Sequence, residues 1–177
     1  MERKPSATLL IGRVSDLRRG KVGQLVAKRI REFKLLGRLP SASAVFRELC
    51  FCILTANFNA ERAIKIQSAL GNGLLTLLPA QLARRLKALG HRYPNSRANY
   101  ICKARLRRKE ISATLRSMAD QQHLRDWVAK EIVGLGYKEA SHFLRNVGFD
   151  DLAIVDFHIL DLLARNGLFM EKSLRKL

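Results

Sequence analysis

The chain has 177 residues and carries 33 Lys or Arg against 15 Asp or Glu, which gives a formal charge of +18. Because 47% of the residues are apolar, the chain can bury a core in one domain or two small lobes, and this excludes a disordered polycation. It has no apolar run of about 18 residues for a membrane span and no signal-peptide core, so we expect an intracellular protein with an anionic partner.

The first half of the chain has the spacing of amphipathic and buried helices. An apolar stripe predicts a helix over residues 22–37. Residues 44–54 are apolar on nearly every side, which predicts a buried central helix. Asn59 is the expected N-cap of a helix over 60–70, which Gly71 then ends.

The second half of the chain continues with helix start signals. Pro79 suits the first turn of a helix, a further helix is expected to follow Pro94, and Asp120 has the side chain of an N-cap. A further helix is expected to begin at Lys138, and Asp156 is the expected cap of the last one. No segment alternates as a strand does, so the sequence predicts an all-α fold of about eight to ten short helices.

Basic residues recur along the whole chain, from Arg13 to Arg175, and are densest over residues 92–109. A membrane-surface protein would concentrate its charge on one amphipathic helix. The distribution therefore favours nucleic acid over a membrane as the partner.

The three cysteines, Cys50, Cys52 and Cys102, lie in apolar or helical segments. An odd number of cysteines argues against a disulfide framework, and no histidines stand near them at the spacing of a zinc site. Three thiols are also too few for an iron–sulfur cluster. We therefore expect core thiols and no metal.

Gly134 and Gly136 lie between two predicted helices. Glycines in such a turn permit positive φ and leave backbone N–H groups accessible, and the N-terminus of the following helix adds a partial positive charge. Together they predict a cradle for a DNA phosphate, as in a helix-hairpin-helix. An ordinary turn between two helices is the alternative.

Lys138 follows this turn, and Asp156 comes 18 residues later. A helix over 138–147 spans about 15 Å, and residues 148–155, when extended, can retrace that distance, so a lysine and a carboxylate can meet at two helix N-termini. A helix N-terminus disfavours the ammonium form and so favours a nucleophilic amine, whereas a charged Asp156 nearby has the opposite effect.

Two segments of this region carry a family resemblance: residues 134–148 (GLGYKEASHFLRNVG) and 154–160 (IVDFHIL). They resemble the type-2 8-oxoguanine DNA glycosylase/AP lyase, a branch of the helix-hairpin-helix DNA glycosylase superfamily. The resemblance implies that Lys138 attacks C1′ of the damaged nucleotide, displaces 8-oxoguanine and, as a Schiff base, promotes β-elimination. It places Asp156 where a carboxylate stabilises the sugar cation and assists the lysine.

The same resemblance implies an organisation, a partner and a location. We expect a helical lobe of residues 1–40 plus 138–177 that carries the catalytic Asp, a helical bundle over 41–133, and the hairpin turn 134–138 between them. The expected enzyme is a monomer in the cytoplasm or nucleoid that acts on double-stranded DNA containing oxidised guanine opposite cytosine, without an organic cofactor or catalytic metal.

Residues 54–57 and 92–97 also resemble the family. An enzyme that extrudes a base must fill the vacated stack, and the resemblance makes Asn57 and Arg92 the candidates for this wedge. Tyr93 is the candidate for stacking on the flipped base, and we predict that Arg97 contacts DNA. The alternatives are a helix C-cap for Asn57, a solvated cation for Arg92 and a core aromatic for Tyr93.

The sequence departs from the family pattern at two places. Val155 stands where Pro or Ala usually precedes the catalytic Asp, and the chain ends at Leu177, where the family usually has a further C-terminal helical segment that closes the base pocket. Two alternatives therefore stay open: a non-enzymatic helix-hairpin-helix DNA-binding module and a lesion-blind AP lyase.

The affinity for undamaged duplex DNA should fall steeply as the salt concentration rises. Each phosphate that a Lys or Arg neutralises contributes about −0.9 to the slope of log K against log salt concentration. Fluorescence anisotropy titrations between low and moderate salt measure this slope. A slope indistinguishable from zero would contradict the nucleic-acid interpretation.

Overall fold

A computed structural model describes residues 7–38 and 41–168, and every regular element in these two ranges is a helix, which confirms the all-α prediction. No helix within them is long and apolar enough to cross a membrane. The helices are α1 (Ala7–Arg19), α2 (Lys21–Arg38), α3 (Ala42–Thr55), α4 (Ala60–Leu70), α5 (Gly73–Thr76), α6 (Pro79–Ala88), α7 (Pro94–Leu106), α8 (Arg108–Ser117), α9 (Gln121–Glu131), α10 (Tyr137–Asn146) and α11 (Phe157–Arg165).

The described ranges thus hold eleven helices, one more than the highest number expected. The sequence signals did not single out α1, α5 or α8. The short α5 has only four residues, so it shows no periodicity. The helix α8 begins directly after Arg107, which makes no side-chain cap hydrogen bond, so the start signal that marked other helices is missing there.

All three predicted N-caps are confirmed by hydrogen bonds. The Oδ1 atom of Asn59 accepts from the Arg62 N–H at 2.9 Å. The Asp120 carboxylate accepts from two N–H groups of the first turn of α9. The Asp156 carboxylate accepts from the Ile159 N–H at 3.0 Å. These side chains satisfy N–H groups that a helix leaves without intrahelical partners.

The core is built around α3, as its apolar sequence predicted. This helix packs against α4, α7, α8 and α10. Its buried side chains are Val45, Phe46, Leu49, Cys50, Cys52, Ile53 and Leu54. A helix with apolar residues on nearly every side must be surrounded by other elements, and here four helices surround it.

Contacts divide the chain into two compact units. The larger unit is Phe33–Ala153, and the smaller contains the described residues 7–32 and 154–168. The helix α10 belongs to the larger unit because it packs against α3 and α9, whereas the sequence prediction placed it in the lobe that carries Asp156. The division into a lobe of residues 1–40 plus 138–177 and a bundle over 41–133 stays a prediction.

Within the larger unit, the end of α2 lies against the end of α10. A Cβ atom at Gly37 would be 2.4 Å from the carbonyl oxygen of Val147. Gly148 has a φ of +100°, which favours glycine. Beside this contact, Lys34 Nζ and Asp150 Oδ2 form an ion pair at 2.7 Å. Both glycines are therefore required by the close approach of the two backbones.

The variant Gly37→Ala should unfold at a lower temperature than the wild type. The added methyl group overlaps the backbone of Val147, which cannot shift without disturbing the end of α10. Overpacking of this kind lowers the free energy of unfolding by about 1–3 kcal/mol. Thermal denaturation followed by circular dichroism measures the change. Gly12→Ala in α1 is the control, because a Cβ there meets nothing within 4 Å, so it should be neutral or slightly stabilising. Equal melting temperatures for the two variants would contradict the packing argument.

Candidate functional site

The predicted hairpin joins α9 to α10, and each of its glycines has a specific function. Gly134 has a φ of +96°, and a Cβ atom there would lie 2.3 Å from the ring of Tyr100 on α7. Gly136 is the N-cap of α10, and its N–H donates to Glu139 Oε2 at 3.3 Å. The turn therefore needs glycine at position 134 both for the backbone angle and for the space. It leads directly into a helix N-terminus, which carries partial positive charge.

Lys138 is the second residue of α10, directly after the turn. Its side chain is 44% exposed, and its Nζ lies 3.5 Å from Glu139 Oε1. The Glu139 carboxylate is thus shared between the hairpin backbone and the lysine. An amine at this position is open to solvent and lies beside the predicted phosphate cradle.

One turn further along α10, the ring of His142 contacts Phe51 of α3 edge to face, with the ring centroids 6.4 Å apart. Burial, followed by the charges of Arg145 and Lys138, lowers the pKa of His142 from 6.5 to about 4. At neutral pH an uncharged imidazole therefore lies on the same helix as the lysine.

Asn57 lies just beyond α3, where Ala56 is the C-cap. It is exposed, and its φ of +55° makes it the only described non-glycine residue with a left-handed backbone. Asparagine is the residue that most often replaces glycine in this conformation after a helix. Asn57 is therefore the residue that follows the C-cap, and the wedge function of its side chain stays a prediction.

Arg92 and Tyr93 lie in the loop before α7. Arg92 is exposed, and its guanidinium carbon lies 5.0 Å from the centroid of the Tyr93 ring. Tyr93 is 37% exposed, so it is not a core aromatic. An exposed ring beside a cation leaves both side chains accessible to a ligand, and their functions on DNA stay predictions.

Arg97, predicted to contact DNA, is only 7% exposed. Its Nη2 donates to the carbonyl oxygen of Ala56 at 2.5 Å. Its guanidinium carbon lies 5.6 Å from the ring centroid of Tyr93 and 5.7 Å from that of Tyr100. Burial lowers the pKa of Arg97. The structure thus gives this residue internal partners, and the predicted DNA contact stays untested.

His91 was not predicted as part of the site, yet it connects two of its segments. It is 4% exposed, its Nδ1 accepts from the Tyr93 N–H at 3.0 Å, and its Nε2 lies 3.0 Å from the Leu54 carbonyl oxygen. Because Nδ1 accepts, the ring proton is assigned to Nε2, which then donates to Leu54. Burial, then the charges of Arg97 and Arg62, lowers the pKa of His91, although its bond to Leu54 acts in the opposite direction.

Lys138 and Asp156 belong to different units of the chain. Lys138 begins a helix of the larger unit, and Asp156 caps α11 in the smaller one. Each residue therefore lies at a helix N-terminus, as predicted. That their side chains meet stays a prediction. Among the described residues, no group of three or more His, Cys, Asp or Glu is placed to hold a metal ion.

Residues 26–176 match the family model of the helix-hairpin-helix 8-oxoguanine DNA glycosylases. The chain belongs to this family. The 8-oxoguanine DNA glycosylase/AP lyase of Korarchaeum cryptofilum is 45% identical over 163 residues, which are 92% of this chain and 77% of that protein. The protein of the same name from Methanocaldococcus jannaschii is 47% identical over 163 residues, 92% of this chain and 78% of that protein.

A solved structure supports the same membership of the 8-oxoguanine DNA glycosylase family. The M. jannaschii 8-oxoguanine glycosylase/lyase in complex with a 15mer DNA containing 8-oxoguanine has a TM-score of 0.85 at 45% sequence identity. The match covers 91% of this chain and 77% of that chain. The predicted helix-hairpin-helix glycosylase fold is therefore confirmed.

The free energy of unfolding should fall as the pH is lowered from 6.5 towards 4. In the unfolded protein His142 has a pKa near 6.5, whereas in the folded protein its pKa is about 4. Between these two values the unfolded protein binds more protons, so lowering the pH favours unfolding. Urea denaturation between pH 7 and 5 should give a shallower pH dependence for His142→Gln than for the wild type. Identical slopes for the two proteins would contradict the lowered pKa.

Proposed function

We propose that this chain removes 8-oxoguanine from duplex DNA and then cleaves the strand as an AP lyase, with Lys138 as the nucleophile. The observation that carries the proposal is the position of Lys138, half-exposed on the first turn of α10 and directly after the Gly134–Gly136 turn. Its family and the names of its relatives support this activity and favour an enzyme over a binding module. We also propose that the enzyme is a monomer that works in the cytoplasm or at the nucleoid, where its DNA substrate lies.

The first chemical step replaces one bond at C1′ of the damaged nucleotide with another. The neutral amine of Lys138 attacks C1′ while the glycosidic bond to N9 breaks, and 8-oxoguanine leaves with the bonding electrons and takes up a proton. The nitrogen then releases one proton, the C1′–O4′ bond breaks with its electrons remaining on O4′, which takes up a proton, and a protonated imine forms between C1′ and Nζ. The hairpin N–H groups and the α10 N-terminus hold a backbone phosphate during this step.

The imine then makes strand cleavage easier. It acidifies the C2′ proton, whose removal expels the 3′ phosphate by β-elimination. Hydrolysis of the imine afterwards regenerates the amine. No redox partner is consumed in these steps, and every atom is supplied by the lysine, DNA and water.

Asp156 acts on the charge that develops during base loss. The sugar becomes cationic as the glycosidic bond breaks, and a nearby carboxylate stabilises that state more than the neutral ground state. The support for this role is a cap carboxylate at the start of α11, 18 residues after Lys138.

The loops of the larger unit supply the residues that keep the base out of the stack. Asn57 and Arg92 fill the vacated space, and Tyr93 stacks on the flipped base. Their exposure and their position in two loops that follow or precede helices of the core support these functions. The +18 charge supplies the non-specific attraction to the duplex.

The variant Lys138→Gln should bind an 8-oxoguanine·cytosine duplex but lose both base release and the borohydride-trapped adduct. Glutamine retains hydrogen-bonding groups but has no nucleophilic amine. Trapping with borohydride on denaturing gels measures the adduct, and single-turnover assays measure base release. Lys130→Gln is the matched control, because it removes the same charge from the exposed end of α9. In the same assays Asp156→Asn should form the adduct slowly, since asparagine also caps helices but carries no charge.

The same assay on a preformed abasic duplex separates a glycosylase from a lesion-blind AP lyase. A glycosylase forms the adduct on both duplexes, whereas a lyase without base recognition forms it only at the abasic site. A folded Lys138→Gln protein that is still trapped at the wild-type rate would show that another amine is the nucleophile.

A further inference from the structure

The buried guanidinium of Arg97 touches two segments that the proposed function uses separately, and it reaches a third through Tyr100. Through its hydrogen bond to the Ala56 carbonyl, at 2.5 Å, it holds the turn that carries Asn57. It lies against the ring of Tyr93 in the loop before α7. It also lies against Tyr100, whose ring packs on Gly134 of the hairpin. Asn57, Tyr93 and the hairpin are thus connected through two side chains, Arg97 and Tyr100.

This arrangement costs free energy that a simple phosphate contact would not require. Arg97 is buried, and its Nε makes no hydrogen bond in the part of the chain that the structure describes. A buried charge with an unpartnered N–H group is destabilising. A lysine or arginine on the surface would neutralise a phosphate without this cost, so the internal contacts of Arg97 are the better explanation of its position.

His91 makes a second connection between the same segments. Its ring joins the Leu54 carbonyl, in the last turn of α3, to the N–H of Tyr93. The ring is also stacked on Phe58, with centroids 4.2 Å apart. His91 and Arg97, which are six residues apart, thus donate hydrogen bonds to two carbonyl oxygens at the end of α3.

Tyr100 extends the connection to the hairpin. A Cβ atom at Gly134 would overlap the Tyr100 ring, so the hairpin backbone lies directly on that ring. The contacts run without interruption from Ala56 through Arg97 and Tyr100 to Gly134, all within the larger unit.

We infer that Arg97 and His91 are positioning residues that hold the Asn57 turn, the Arg92–Tyr93 loop and the hairpin in the arrangement needed to extrude a base. This inference rests on the proposed function and assigns no chemistry to either residue. Extrusion requires groups from separate loops to act on one nucleotide at the same time, and small errors in such placement cause large losses of rate.

The inference predicts unequal losses on two substrates. Removing an intact base demands extrusion against stacking and pairing, whereas a preformed abasic site has no base to unstack. Arg97→Met keeps the length of the side chain but loses its charge and its hydrogen bond. It should slow 8-oxoguanine release by about tenfold or more and abasic-site cleavage by less than about threefold. Arg97→Lys, which retains a donor for the Ala56 carbonyl, should recover part of the loss.

His91→Phe keeps a ring that can stack on Phe58 but loses both hydrogen bonds, and it should show the same unequal loss. Arg105→Met is the matched control. Arg105 also lies on α7 and donates to backbone carbonyls, those of Leu74 at 2.9 Å and Leu77 at 2.8 Å, but it touches none of the three segments. Its loss should lower stability and change both substrate rates by the same factor.

Extrusion can also be measured without chemistry. In a Lys138→Gln background, 2-aminopurine placed beside the lesion should brighten on binding, and adding Arg97→Met or His91→Phe should reduce that signal. This readout separates the two proposals, because a failure of Lys138 as the nucleophile leaves the fluorescence change intact.

Equal losses on the two substrates, together with an unchanged 2-aminopurine signal, would overturn the inference. The inference would also be overturned if the only effect of Arg97→Met were to reduce the slope of log K against log salt concentration by the contribution of about one phosphate. That result is typical of a residue that contacts a phosphate. If Arg97→Met does not fold, His91→Phe and Arg97→Lys decide the question by the same two measurements.

Discussion

The end of α3 is the constraint on which the candidate site depends. A helix leaves its last carbonyl oxygens without intrahelical donors, and here those of Leu54 and Ala56 are taken by His91 and Arg97. The bonds fix the loop that follows His91 against the turn that carries Asn57. The carbonyl oxygens at this helix end need hydrogen-bond donors, and the donors that they bind also position two loops that we propose to act on DNA.

The positive charge of the chain acts in two different ways. The net charge of +18 attracts a polyanion over a distance set by salt, without regard to sequence. Some of the basic side chains, however, bind partners within the protein, since Arg97 and Arg105 donate hydrogen bonds to backbone carbonyls. The number of phosphates that the protein neutralises is therefore smaller than its charge suggests, and specificity depends on the placement of a few side chains.

The sequence by itself determined the local features of this protein. The caps at Asn59, Asp120 and Asp156 depend on a side chain and on N–H groups two or three residues away, so a short pattern predicts them. The hairpin glycines and the central helix α3 were predicted for the same reason, because backbone angles and burial patterns are encoded along one segment. The resemblance over residues 134–160 then indicated the family, which the comparisons confirmed.

Only the tertiary structure decided how these features are connected. His91 and Arg97 reach partners 37 and 41 residues away, and no periodicity or spacing in the chain encodes such contacts. Arg97 was predicted to contact DNA together with the segment 92–97 that resembles the family, whereas its burial depends on the helices that pack around it. The requirement for glycine at position 134 is likewise fixed by the ring of Tyr100, which packing brings against the turn. Hydrogen-bonding groups and ring shapes are properties of residues, but which of them meet is set by the close packing of the whole core.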